Sequence, residues 1–494
     1  MKKSVSLSLV LLLLAALIAS CGATPEPQTV IQTVEVEKTV IETVEVEKTV
    51  VETVEVEKKV GVETVVTATP EPEKELEPVH IVYWTDPALA KPARHPEFTE
   101  IGQYEEWQAQ QFMDMYPHVT IEVQGLDWAD LPKKTAAAVA AGSPPDIMKD
   151  YLGRTSSYGW ADVLVPLDDL VPQDVWDDVN PGLLDLYRIN GKIHAMPIYW
   201  WEHHLAVNKA LFDKAGLTDM LPLDDYTWSF DEFYAAAKAI QDAGVGVEYP
   251  LGLQVASEQG DYDIHAFFWG AGAKTWLDDC SGLGYDDPNA LEALTFLKKL
   301  YDEGLINPDA TTVGWQDVNN LFYTGKAVFW GGGLAALMVT LPQAQAEGQV
   351  TVDMDAQLIM YPTLDGEPSN GLAAGPTGLM VFQKEGRSDY ELEWIIKYLL
   401  FLSSPDWQRD YTLNNSQFPA FLSVGAPLAG NADYELALKL ATERGVENMG
   451  LACPHFAEIR VAQPPHWQAV FLGQETPEEA LNMLMEESAD ILSQ

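Results

Sequence analysis

The chain has 494 residues, with 29 Lys and Arg against 75 Asp and Glu, and a formal charge of −46. Such an excess of carboxylates argues against nucleic acid as a partner, because phosphate binding needs Lys and Arg. It argues equally against electrostatic docking on anionic lipid. A strongly acidic surface is what keeps an exported protein soluble.

The start of the chain fits export. Lys2 and Lys3 precede an apolar run from Val5 to Ala19, followed by Ser20 and Cys21. A basic start, a short apolar run and small residues mark a secretory signal over residues 1–20. The run is short of the ~20 apolar residues a membrane span needs. Ile18-Ala19-Ser20-Cys21 resembles the lipobox of bacterial lipoproteins, in which the Cys is lipidated and becomes the mature N-terminus. An ordinary signal peptide with an incidental Cys is the alternative. Cys280 and Cys453 are then the cysteines left. The compartment permits a disulfide, but two Cys so far apart define no framework, and their pairing stays open.

Residues 24–78 read as a low-complexity spacer. TVEVEKTVIE at 33–42 recurs as TVEVEKTVVE at 43–52 and, imperfectly, as TVEVEKKVGV at 53–62. The period fits no heptad, so a regular coiled coil is not supported. Fully extended, about 50 residues reach on the order of 165 Å. Residues 21–78 are therefore expected to form a lipidated stalk that holds a globular part away from the membrane.

From Val79 onward the chain is too long for one core, so two lobes are expected. It opens with a strand at Val79–Trp84 and a Pro-rich loop at 86–96. A helix at Tyr104–Met115 and a strand at Val119–Val123 complete an α/β unit. Gly191-Lys192 turns into an extended run carrying Tyr199, Trp200, Trp201 and Glu202, and Val207-Asn208-Lys209 leads into a helix. Because neighbouring strand residues face opposite ways, Trp200 and Trp201 cannot share one core. Ser229 with Glu232 and Ser388 with Glu391 fit capping boxes. Asp287-Pro288 and Ser404-Pro405 fit helix starts. Strands are expected at Ala327–Trp330 and Leu358–Tyr361, giving α/β alternation throughout.

Several chemistries find no support. Gly331-Gly332-Gly333 could present backbone N–H groups to a phosphate, but no nucleotide-binding glycine pattern surrounds it. Close backbone approach is the simpler role. His203 and His204 flank Glu202, yet adjacent strand histidines point apart and no HExxH or CxxC pair occurs, so neither metal nor cofactor is expected. No GxSxG is present for hydrolysis. Tryptophan stands out instead, with 15 copies, often beside Asp, Glu or Gly. An aromatic ring covers the C–H face of a sugar while carboxylates or amides pair its hydroxyls. A single Trp is by default a core residue; recurrence at strand ends favours a ligand, since clefts of open α/β sheets lie there. Arg is scarce and absent from these clusters, which disfavours a phosphate or carboxylate ligand.

The order of motifs resembles the carbohydrate-binding, maltose-binding-like group of extracellular solute-binding proteins that serve bacterial ABC importers. Pro145-Asp146-Ile147, Gly159 and Pro166-Leu167-Asp168 carry its first segment. Gly191-Lys192, Pro197, Asn208 to Phe212 and Ala215-Gly216-Leu217 carry its second. Thr227-Trp228 with Glu232-Phe233, Leu297 to Pro308, Phe322, Gly325-Lys326-Ala327 and Pro419 follow in order.

The resemblance implies a two-lobed, type II periplasmic-binding-protein-like α/β fold with an interlobe cleft. Lobe one would be 79–198 plus 362–418, and lobe two 203–361 plus 419–494. Crossovers would lie near Pro197–Leu205 and Tyr361. Ligand contacts are expected from Trp84, Asp86, Asp127, Trp128, Asp150, Tyr151, Tyr199, Trp200, Trp201, Glu202, Trp330, Gly331 and Gly332, with Trp269 and Phe418 as weaker additions. The implied protein is a non-enzymatic, lipid-anchored extracytoplasmic monomer, capturing a neutral sugar for ABC permease subunits. A polyol, peptide or amine ligand, or a cell-surface glycosidase, are the alternatives. The long loop 86–100 departs from the family pattern.

Overall fold

The computed structural model describes residues 76–128, 130–368, 373–445 and 449–493. The signal segment, Cys21 and the repeats up to residue 75 lie outside the described residues. Among the described residues no helix is long and apolar enough to cross a membrane.

Among the described residues, ten strands form the two larger sheets: β1 (Val79–Thr85), β2 (Val119–Gly125), β3 (Ile147–Tyr151), β4 (Ala195–His203), β5 (Leu205–Asn208), β6 (Leu251–Gly252), β7 (Phe329–Gly331), β8 (Ala356–Ile359), β9 (Ala373–Val381) and β10 (Phe418–Pro419). The first sheet has the order β10-β4-β9-β3-β1-β2, and the second β8-β5-β7-β6. β1 pairs in parallel with β2 and β3, as expected for strand–helix–strand units. β9 joins antiparallel between β3 and β4. The chain passes from the first sheet to the second at His204 alone, and returns between β8 and β9.

Local signals set the helix ends. Ser229 and Ser388 each accept the backbone N–H of the Glu three residues on, and each Glu answers the cap N–H. Asp287 caps Pro288–Asp302 by accepting from Asn289 N. Two outcomes went beyond these signals. Phe456–Phe471 is a helix despite Pro464 and Pro465 inside it, and it is buried along most of its length. Cys280 and Cys453, whose pairing was open, form a disulfide with Cα atoms 5.4 Å apart, inside the range the bond allows.

Beneath the first sheet's core lies a buried charge cluster. Lys149 on β3 donates to Glu105 at 2.6 Å and stands 3.4 Å from Asp86. Glu105 also accepts from Thr85 at 2.9 Å. Two carboxylates thus share one ammonium out of water. Burial pushes Asp86 up to about 6, and Lys149 only partly opposes the shift. A raised acid pKa in the folded state binds protons the unfolded chain does not. Its stabilisation is complete below the unfolded value near 3.8 and is lost as pH rises through about 6. Asp86→Asn, which keeps the acceptor facing Ala88 N and removes the charge, is expected to melt higher than the wild type above pH 6. That advantage should vanish near pH 4, as checked by thermal unfolding of both proteins across this range.

Candidate functional site

The site is built on the run that leaves the first sheet. In β4, Tyr199 and Trp201 share one side and Trp200 takes the other, as period-two alternation requires. A bulge opposite Thr377 and Gly378 adds Ile198 to β4 just before this stretch. Such an insertion re-aims the residues beside it. Trp200 pairs across the strand with Phe418, and their rings stack with centroids 4.3 Å apart. Tyr434 closes on the same Phe418 ring. Trp201 instead meets Tyr262 edge-on at 5.2 Å.

Trp201 and Tyr199 border a cavity of about 310 Å³ between the sheets, with Trp128, Tyr151, Glu202 and Gly332 also in its lining. These six of the expected residues are brought together. The others lie elsewhere for definite reasons. Trp84 is half-buried against the first core on the other face of β1, and Asp86 sits in the buried charge cluster. Asp127 accepts from Asp130 N at 3.0 Å at the start of the next helix. Asp150 is fully buried and holds Arg154 through two contacts of 2.5 and 2.6 Å. Trp269 ends the helix Asp261–Gly270, roughly 10 Å along its axis from Tyr262 at the other end. Trp330 is buried in the second core and donates to Asn319 at 2.9 Å. Gly331 packs on Asp263 and Tyr361. Phe418 is the floor under Trp200.

The glycine turn serves the backbone. Gly333 has φ +69, and a Cβ there would meet the Glu202 carbonyl oxygen at 2.2 Å. Leu334 N donates to Glu202 Oε1 at 2.9 Å, and His204 closes on the other oxygen. Glu202 is thereby fixed at the crossover. His203 Nε2 lies 3.0 Å from Asp263, which Tyr361 also engages through its hydroxyl. One carboxylate therefore ties the run that leaves the first sheet to the one that returns to it.

Two arginines line the cavity, against the expectation from the sequence, where no Arg neighbours the tryptophan clusters. Arg154 lies one turn after Asp150, and Arg460 arrives from the helix Phe456–Phe471. Arg460 grips Asp261 through two contacts of 2.6 and 2.9 Å and donates to the Tyr151 hydroxyl at 3.1 Å. For both guanidiniums burial opposes the charge, and the facing carboxylate more than offsets it, so both pKa values are raised. Each arginine is therefore charged and internally neutralised. Arg154 lies 4.4 Å from the Tyr151 ring and 5.4 Å from Trp128, while Arg460 lies 5.0 Å from Tyr262. The wall alternates ring and cation from Trp128 to Trp201. Tyr262, Trp315, Glu258 and Gln417 also line the cavity without having been expected. For Tyr262, the Asp-Tyr-Asp stretch opening a helix was the available signal; Arg460 had none.

Two α/β lobes joined by strand crossovers, with an aromatic cavity between them, define a two-lobed solute-binding protein. A family model described as bacterial extracellular solute-binding protein matches residues 95–409, and the chain belongs to that family. It is 25% identical over 394 residues to a binding protein of Brucella abortus (strain 2308), spanning 77% of this chain and 87% of that one. Among solved structures, an ABC transporter solute-binding protein from Thermotoga lettingae TMO bound with α-D-tagatose superposes with a TM-score of 0.67. It is 22% identical and covers 84% of this chain and 100% of its own. A chitin oligosaccharide binding protein gives a TM-score of 0.69 at 18% identity, covering 84% and 98% of the two chains.

The two adjacent tryptophans should separate cleanly. Trp200→Ala leaves a hole against Phe418 and should cost about 2 kcal/mol in denaturant unfolding. Trp201→Ala, at the cavity wall, should cost less than half of that.

Proposed function

We propose that the protein captures a neutral mono- or oligosaccharide between its lobes and delivers it to the permease subunits of an ABC importer. The observation that carries this reading is the cavity wall itself. Trp201, Trp128, Tyr151 and Tyr262 supply ring faces and edges, and both nearby guanidiniums are already neutralised by buried carboxylates. An uncharged ligand with apolar faces and a polar rim suits such a wall. Trp201 would lie on a sugar face, while Gln417 and Arg154 meet hydroxyls. The structural neighbours that bind tagatose and chitin oligosaccharide support the ligand class. The cavity is near the small end of ligand sites, which run from about 300 Å³ upward.

On this reading residues 79–198 with 362–418 form lobe one, and 203–361 with 419–494 form lobe two. Closure is a hinge motion about His204 and residues 360–368 that excludes water and strengthens each hydroxyl contact. The protein binds and does not hydrolyse. Glu202, the carboxylate on the crossover, is held by His204 and Leu334 N, which leaves it poorly placed as a proton shuttle. Cys21 would carry the lipid that anchors a monomer outside the cytoplasmic membrane, with no cofactor.

Calorimetry of the full chain against neutral mono- and oligosaccharides, polyols, amino acids and peptides tests the ligand class. At least one sugar should bind, no chromogenic glycoside should turn over, and Trp201→Ala should weaken sugar binding at least tenfold. Binding confined to peptides or amino acids would replace the sugar reading with one of the others. Separately, Cys21→Ala should release the chain from the membrane fraction and abolish incorporation of labelled fatty acid. A variant that stays anchored would rule out lipidation at this residue.

A further inference from the structure

Residues 449–460 touch both halves of the molecule. On the side of the second sheet, Gly450 (φ +76) lies flat on the Trp276 ring, where a Cβ would come within 2.3 Å. Cys453 is bonded to Cys280, and Arg460 grips Asp261. On the side of the first sheet, the contacts are made with the helix Leu152–Trp160 that follows β3. Leu451 O accepts from Ser156 Oγ at 2.5 Å, and Ala452 O accepts from Trp160 Nε1 at 3.1 Å. The Phe456 ring covers Gly153, and Arg460 reaches the Tyr151 hydroxyl. Nothing in solute capture alone requires a segment fastened in this way to both walls of the cavity.

We propose that residues 449–460 are an interlobe strap, fastened covalently to the second half at Cys280 and docked on the first half at helix Leu152–Trp160. The strap holds the cavity walls together, and Arg460 is the positioning residue that spaces Tyr151 from Tyr262. The two attachments differ in kind. The disulfide and the two-pronged Arg460–Asp261 pair do not release under thermal motion, whereas the contacts to the first half are single hydrogen bonds and ring packing. When the lobes part, the strap therefore leaves with the second half. Redocking on Ser156 and Trp160 restores the distance between the two tyrosines. This goes beyond the sugar reading, since it concerns how the walls are held whatever solute lies between them.

Hydrogen exchange read by mass spectrometry on the full chain, without ligand, tests the strap. Two variants are compared with the wild type: Cys280→Ser with Cys453→Ser, and Ser156→Ala with Trp160→Phe. In the cysteine variant, residues 449–460 and the helix 152–160 should exchange at least ten times faster, with β1 and β2 unchanged. Neither cysteine touches helix 152–160, so a purely local staple would loosen only 275–283 and 449–456. That outcome would overturn the proposal. In the second variant, 449–455 and 152–160 should loosen while 258–263 keeps its protection; wild-type protection of 449–455 and 152–160 would also overturn it. If the cysteine variant loses protection everywhere, the second variant decides. No sugar enters the measurement, so failure of the strap is told apart from failure of the sugar reading.

Discussion

One extended run, Ala195 to Asn208, belongs to both sheets, and the rest of the molecule is arranged around it. It lies second from the edge in each sheet, and only His204 separates its two strands. Alternation along such a run cannot be altered residue by residue, because a shift of one position turns every side chain to the other face. Placing Trp200 against Phe418 therefore turns Trp201 to the cavity side, above Tyr199, which is buried against Tyr411. The glycine turn after β7 comes close to the same backbone, and its Leu334 N–H fixes Glu202 there. Asp263 then joins His203 on the outgoing crossover to Tyr361 on the returning one. The cavity wall and the separation of the two tryptophans are consequences of one strand running from sheet to sheet.

Electrostatics follow a second constraint. A chain of charge −46 still keeps cations at its cavity wall, but each arrives with its own carboxylate. Asp150 neutralises Arg154, and Asp261 neutralises Arg460. Removing either acid would leave a buried charge uncompensated, which costs far more than the pair contributes. With their charge spent, the guanidiniums act as flat plates between rings and as fixed donors. On the proposed reading, this suits an uncharged, hydroxyl-rich solute.

The sequence carried the fold well because its signals were local. The capping boxes at Ser229 and Ser388, the Asp287-Pro288 start and the alternation in β1 and β2 each depend on neighbours within a few residues. The family motifs supplied the order of the elements. The site was legible only in part. Strand parity showed that Trp200 and Trp201 must separate, but which one met Phe418 depended on a partner more than 200 positions away in the chain. Asp86 and Asp150 looked like ligand acceptors because a carboxylate beside an aromatic reads the same whether its partner is a sugar or a buried Lys149 or Arg154. Arg460 was invisible: it lies on a helix that Pro464-Pro465 argue against, and its neighbours in sequence are not its neighbours in space. The disulfide was open for the same reason.

The central claim is that a solute sits between the lobes on the Trp201 side of the crossover. A crystal structure of the full chain with a bound neutral sugar tests it most directly. The account predicts a sugar ring against Trp201, inside the wall formed by Tyr151 and Tyr262, with Trp200 still stacked on Phe418. A sugar bound outside this cavity, or contacting Trp200 in place of Trp201, would contradict it.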